Sequence, residues 1–341
     1  MRVPPLTRRP SAPTSHDVAH EAGLSQSTVS RALRDDPRVT AETRERVMAA
    51  AQRLGYTPNA LGRNLVQRST RTIGMVVTEI SNPFYPNLIA PLHDELAELG
   101  YNMALFTESA SHSFDTLFDR GIDGAVLTTS TLDGTVPREF LRRGLPFTFL
   151  TRVVDGIPAD AVTVDNALGA SLVAARVAQF GHRRIGAIFG PADTSTGRDR
   201  ERGFRAGLAA AGVELDDEAV DYGPYTVDAG RGAMDSILKA PNPPTAVVCF
   251  NDLVAIGALN AAHAAGLRVP EDISITGWDD LPMASWEIVQ LTTVRQSMHE
   301  MARAAARLTV ERVEGRAGPE PRHVLFDPEL ILRSTLGPPR A

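Results

Sequence analysis

Gln26, Ser27, Ser30 and Arg31 are the residues whose types and spacing most directly suggest chemistry. Glutamine can pair bidentately with adenine and arginine with guanine, so a short helix carrying both on one face could read base edges in a DNA major groove. Two other constellations invite a chemical reading and do not sustain it. His16 and His20 lie four residues apart, a spacing able to grip a metal ion, but no third or fourth ligand accompanies them, and no metal site is expected. Asp279 and Asp280 are adjacent, so their side chains diverge and make a poor acid–base couple. No glycine-rich phosphate loop, nucleophile elbow or metal-ligand cluster is present. The expectation is a protein without catalytic residues and without a cofactor.

The elements that must position Gln26 to Arg31 are legible around them. Thr14 can cap a helix, with Asp17 three residues on near its positive end. Val18, Ala19 and Ala22 form a short apolar stripe, and Gly23 stops the helix. Ser25 caps a second helix from Gln26 to about Leu33, with Val29, Ala32 and Leu33 inward. Two short helices joined by a glycine-containing turn make a helix-turn-helix. Asp35-Asp36-Pro37 breaks the chain. Thr40 then caps a third helix carrying Val47, Ala51 and Leu54 at helical spacing, and Gly55 ends it.

Charge follows the same division. The net charge is −6, but residues 1–68 carry +5 and the remainder −11. A basic head on an acidic body implies that the head meets a polyanion. Residues 1–13, rich in proline and arginine, read as a disordered arm and not as a secretory signal. The single cysteine, Cys249, cannot form an internal disulfide, which fits a reducing cytoplasm. No apolar run is long enough to span a membrane.

From Arg71 helical and strand patterns alternate. Ile73 to Val77 reads as a buried strand, Tyr101 to Phe106, Gly124 to Leu127, Ile185 to Phe189, Ala246 to Phe250 and Ile273 to Thr276 as strands, and Pro86 to Gly100 as a helix. The alternation implies parallel sheets built from βαβ units. Ligands of such sheets sit outside the carboxyl ends of the strands. Asn251 and Asp279 follow strand ends, and Arg198 follows the strand that ends before Gly190. Together they could supply donors and acceptors for vicinal hydroxyls.

The ordered series His16-Asp17-Val18-Ala19, Gly23-Leu24-Ser25, Ser27 to Leu33, Thr43 to Val47 and Leu54 to Ala60 resembles the head of the lactose/galactose repressor (LacI/GalR) family of bacterial transcription regulators. The body resembles the sugar-binding fold of periplasmic receptors. The stretches that carry this are Gly181 to Ile185, Thr245 to Val248 with Asn251-Asp252, Val269 to Ile273 with Gly277 to Asp280, and Leu291 to Val294. The implied fold is α/β: a three-helix helix-turn-helix head over residues 14–57, a hinge over 58–70, and a periplasmic-binding-protein-like body over 71–341. The body would comprise two doubly wound parallel-sheet subdomains, about 71–161 with 293–323 and about 162–292 with 324–341.

The resemblance also implies roles. Gln26, Ser27 and Arg31 occupy base-reading positions, Thr28 and Ser30 match phosphate contacts, and Asn59 lies in the matched hinge as a further DNA contact. Leu65 matches a hinge leucine wedged into the minor groove, a device that unstacks a base step and bends the duplex. Gly62 stands where the family usually has alanine, and glycine weakens a helix by about 1 kcal/mol. In the body, Arg198, Asn251 and Asp279 become effector contacts. Phe84 and Tyr85 match aromatic stacking positions or are ordinary core, and Phe250 and Trp278 would add walls. Thr151 occupies a position where many relatives carry an aspartate. The implied protein is a cytoplasmic homodimer on a near-palindromic operator, switched by a sugar-like effector. It would be a repressor or, alternatively, an activator; a sugar receptor without a transcription role is disfavoured by the intact head. No heptad segment follows Leu332, so tetramers are not expected.

Overall fold

The computed structural model describes residues 13–33, 35–56, 69–78, 80–107 and 121–340. The chain divides into two compact units, Met1–Ser69 and Thr70–Ala341. The hinge residues Asn59, Gly62 and Leu65 and the arm to residue 12 lie outside the described residues.

In the first unit, α1 spans Ser15–Ala22, α2 Gln26–Ala32 and α3 Ala41–Leu54. Each begins and ends for a local reason. The Asp17 carboxylate accepts from the Thr14 backbone N–H at 2.7 Å, while the Thr14 hydroxyl accepts from the Asp17 N–H, completing a capping box. Ser25 accepts from Thr28 N–H and Thr40 from Thr43 N–H. Gly23 and Gly55 take the left-handed conformation, φ +62 at both, that glycine adopts without steric cost. The helices close on Val18, Ala22, Val29, Ala32, Val47 and Ala50. Arg46 of α3 donates to the carbonyl of Ala22 at 2.8 Å, which satisfies the end of α1 and ties the helices together.

The second unit contains two parallel sheets. The first joins β1 (Thr72–Val77), β2 (Asn102–Thr107), β3 (Gly124–Leu127), β4 (Phe147–Leu150), β5 (Asp160–Val164) and β11 (His323–Phe326) in the order β11-β5-β4-β3-β1-β2. The second orders β7 (Val220–Tyr222), β6 (Ile185–Phe189), β8 (Ala246–Cys249) and β9 (Ser274–Thr276). An antiparallel pair, β10 (Thr293–Arg295) with β12 (Glu329–Ile331), lies where the chain passes between the halves. Because β5 pairs through Val164 and β11 through Phe326 in the first sheet, the first and last crossings fall a few residues beyond the expected 161 and 323.

Helices α4 (Pro86–Glu98), α5 (Thr135–Arg142) and α10 (Met298–Val313) belong to the first half. Leu88, Leu92 and Leu96 recur every fourth residue on α4 and pack in one core with Met301, Ala302 and Ala305 of α10. Glu95, otherwise a costly buried charge, sits between Arg303 and Arg307 at 2.5 Å each. The second half carries α6 (Asn166–Gln179), α7 (Ser195–Ala210), α8 (Val227–Ile237) and α9 (Asp252–Ala264). A Cβ on Gly257 of α9 would lie 2.0 Å from the Val227 carbonyl of α8, so only glycine permits this crossing. His182 is a fully buried tie: its ring nitrogens meet Thr245 Oγ1 and the Gly337 carbonyl, both at 2.8 Å. Burial holds its pKa below the usual histidine value, against the pull of the Gly337 bond.

Candidate DNA-reading helix and ligand cleft

On α2, Gln26, Ser27 and Arg31 are exposed, while Thr28 and Ser30 are half-buried. At about 100° per residue, Gln26, Ser27, Ser30 and Arg31 cover an arc of about 140°, and Val29 and Ala32 fall on the opposite side. The Ser25 hydroxyl lies 2.9 Å from Ser27 Oγ and 2.8 Å from Thr28 Oγ1, so the N-cap also orients the hydroxyls that begin the helix. The Gln26 amide makes one long bond, 3.4 Å to Ser15 Oγ. The arc therefore presents amide, hydroxyl and guanidinium groups to solvent, the donor and acceptor set that base edges require. His16 and His20 are exposed, and no cluster of three metal-ligating side chains occurs among the described residues.

In the body, the strand ends converge as an open α/β sheet dictates. Thr78 follows β1, Thr128 to Thr131 follow β3, Thr151 and Arg152 follow β4, Pro191 to Thr196 follow β6, Pro224 to Thr226 follow β7, Asn251 follows β8 and Asp279 lies just beyond β9. Residues from each of these segments line one cavity of about 630 Å³. Three of them, Thr194, Thr226 and Asn251, are the N-caps of α7, α8 and α9, so three positive helix ends face the same space.

Of the expected effector contacts, Phe84, Tyr85, Thr151, Asn251 and Asp279 line this cavity. Phe84 and Tyr85 meet edge to face at 5.5 Å. Tyr85 also packs in the core, with its hydroxyl 2.7 Å from Thr78 Oγ1. Thr151 is buried at φ +71, and its N–H donates to the Val162 carbonyl. Asn251 caps α9 through Oδ1 and donates from Nδ2 to Asp279 Oδ2 at 2.5 Å. Asp279 accepts on its other oxygen from Gln296 at 2.6 Å. Burial pushes the Asp279 carboxyl up to about 7, against the opposing pull of Arg200, Gln296 and Asn251. Asp252, directly below, is raised by burial and by the neighbouring Asp279 charge.

Three residues stand elsewhere than the sequence suggested. Arg198 does not line the cavity. It pairs with Asp155 at 2.5 Å and with Asp199 at 3.0 Å, and so straps α7 to the loop after β4. Two further bonds run beside it, Val153 N–H to Ser195 Oγ at 3.0 Å and Leu132 N–H to the Asp193 carbonyl at 2.8 Å. Arg200 is the arginine in the lining; two residues turn a helix by about 200°, which places it on the opposite face of α7. Its guanidinium donates to Asn166 Oδ1 at 2.8 Å and the Phe250 carbonyl at 2.7 Å, and lies 4.3 Å over the Trp278 ring. Trp278 and Phe250 are fully buried beneath the cavity and seat Arg200, forming no part of its wall. Phe250 stacks on Phe189 at 4.8 Å, which spends its ring face on the core.

The sequence reading missed Arg200; the signal that could have found it is the inward stripe Thr196, Arg200, Phe204 and Leu208 of α7, spaced every fourth residue. Tyr225 and Arg152, also in the lining, carried no comparable signal. The Tyr225 hydroxyl is buried without a hydrogen-bond partner and lies so close to Gly190 that a Cβ there would sit 2.0 Å away. A buried donor left open at a cavity surface is a point where a polar ligand can bind.

Comparison with known proteins fits both halves. The sequence profile for "Bacterial regulatory proteins, lacI family" matches residues 14–59, and that for "Periplasmic binding protein-like domain" matches 174–336. The chain belongs to the LacI family of bacterial transcription regulators; it is a DNA-binding regulator and not an enzyme. It is 34% identical to the HTH-type transcriptional regulator CelR of Thermobifida fusca over 335 residues, covering 95% of this chain and 98% of the relative. Among solved structures, a transcriptional regulator CelR–cellobiose complex superposes with a TM-score of 0.73 at 33% identity, covering 95% of this chain and 100% of that one. The lac repressor dimer bound to operator and the anti-inducer ONPF superposes with a TM-score of 0.85 at 25% identity, covering 95% and 99%.

Proposed function

We propose that this regulator is a ligand-responsive repressor of carbohydrate-related genes, acting in the cytoplasm as a homodimer on a near-palindromic duplex operator. The observation that carries the reading is the solvent-facing arc on α2, which joins Gln26 and Arg31 on one helix whose opposite face is fully committed to the head core. One helix of seven residues reads too few bases alone, so two heads on two half-sites are required. Gln26, Ser27 and Arg31 read bases, Thr28, Ser30 and Asn59 hold the backbone, and Leu65 wedges the minor groove. The effector is a polyhydroxyl compound held by Arg200, Asn251, Asp279 and Thr151, with Phe84 and Tyr85 against its apolar face. The likeness to a cellobiose-bound relative supports a sugar in the cleft, and the likeness to an operator-bound dimer supports the DNA arrangement.

Selection of bound duplexes from a random pool tests this reading. It expects a consensus of two inverted half-sites that weakens at one base pair per half when Arg31 is replaced. Absence of any enriched sequence, or enrichment of a single unpaired half-site, would overturn it.

A further inference from the structure

The charges facing the cavity are equal in number but are not all paired. Two arginines and two aspartates line it among the described residues. Arg200 and Asp279 form one set at its floor: both are buried, Arg200 is locked by Asn166 and the Phe250 carbonyl, and its charge acts on Asp279. Asp193 is exposed at the rim. Arg152 is half-buried, and its one hydrogen bond is a long one, 3.4 Å from Nη1 to the Thr129 carbonyl. Its nearest acidic neighbour in sequence, Asp155, is taken by Arg198. A guanidinium is a planar fork of donors matched to carboxylate or phosphate, and a single stretched bond to a carbonyl leaves most of that fork unused. The N-termini of α7, α8 and α9 add partial positive charge to the same space. The lining nearby offers neutral hydroxyls, Thr129 and Thr151 among them, and no carboxylate pairs with Arg152 among the described residues.

We infer that the effector is an anionic polyhydroxyl compound, a sugar bearing a carboxylate or a phosphate, whose anionic group is bound by Arg152. The inference rests on the proposed sensing role of the cleft and adds the charge class of its ligand. Arg200 and Asp279 take the hydroxyls of the neutral ring, and Arg152 selects for the acid. A neutral sugar would leave a half-buried guanidinium without the partner that offsets its desolvation.

The test uses the full chain at constant ionic strength, with calorimetric titration of inorganic phosphate, glucose 6-phosphate, glucuronate, glucose and cellobiose into the wild type, Arg152→Gln and Arg152→Lys. The phosphate and carboxylate compounds distinguish the two sources of the anion. At least one of the anions should bind saturably, with affinity reduced about tenfold or more by Arg152→Gln and largely retained by Arg152→Lys. Thermal melting of Arg152→Gln close to that of the wild type verifies that the fold is intact. The inference is overturned if no anion binds saturably, or if Arg152→Gln leaves anion affinity unchanged. It is equally overturned if cellobiose or glucose binds more tightly than every anion and is indifferent to Arg152. In that last case a neutral sugar that alters operator affinity would leave the sensing role standing, so the two failures are separable.

Discussion

Asp279 holds two roles at the floor of the cleft. Its oxygens are occupied by Asn251 and Gln296, which fixes where the proposed ligand could approach, and its burial makes the charged form expensive. A carboxyl whose folded-state pKa is raised destabilises the fold progressively as pH climbs from its unfolded value near 4 to its folded value near 7, since over that range the unfolded chain releases the proton that the folded state retains. Asp279→Asn removes that cost and lets Asp252 relax downward as well. Thermal melts of the ligand-free protein should show the variant gaining several degrees on the wild type at pH 8 relative to its difference at pH 5. An equal difference at both pH values would show that burial of this charge carries no penalty. At the other end of the chain, Arg31→Ala should cost roughly 1–3 kcal/mol per half-site and relax preference at one base pair. Equal losses on specific and random duplexes, measured by fluorescence anisotropy, would make Arg31 a phosphate contact.

At the scale of elements, most of the fold was legible because local chemistry marks where elements begin and stop. Thr14, Ser25, Thr40, Gly23 and Gly55 each occupy the cap position that their types suggest. The apolar strands lie where continuous hydrophobic runs demanded burial on both faces, as in Ile73 to Val77. The cleft was legible only to the level of strand ends. Which arginine of α7 faces it depends on helix phase, and a two-residue error exchanges a cavity-lining residue for an outer strap. Trp278 and Phe250 were misplaced for a related reason: a large ring next to a strand end can face the ligand or support the residue that does. The two arginines therefore have different expected phenotypes. Arg200→Ala strips a buried charge from Asn166 and the Phe250 carbonyl, should destabilise by about 3 kcal/mol in urea, and should abolish ligand-induced stabilisation. Arg198→Ala breaks a partly exposed pair, should cost under about 1 kcal/mol, and should leave ligand binding in place. Reversed results would restore Arg198 to the cleft. In the hinge, Gly62→Ala adds about 1 kcal/mol of helix propensity and should tighten operator binding while blunting the ligand response. Tighter binding with an undiminished response would separate hinge stability from coupling.

Across the whole molecule, a head at +5 and a body at −11 direct the polyanion to one end and keep the acidic surface from competing for it. With the ligand in the body and the DNA at the head, as proposed, regulation requires the two binding events to share one equilibrium. A ligand shifts DNA affinity only through its differential affinity for the states that bind DNA well and poorly, and operator must change ligand affinity by the same factor. The most direct test takes a compound whose stabilising effect on the wild type disappears in Arg200→Ala, and measures operator affinity by anisotropy with the cleft empty and saturated. A change of about fivefold or more is predicted in the wild type, with none in Arg200→Ala. An operator affinity identical with and without ligand in the wild type would contradict the account: the cleft and the head would then be two binding sites on one chain without communication.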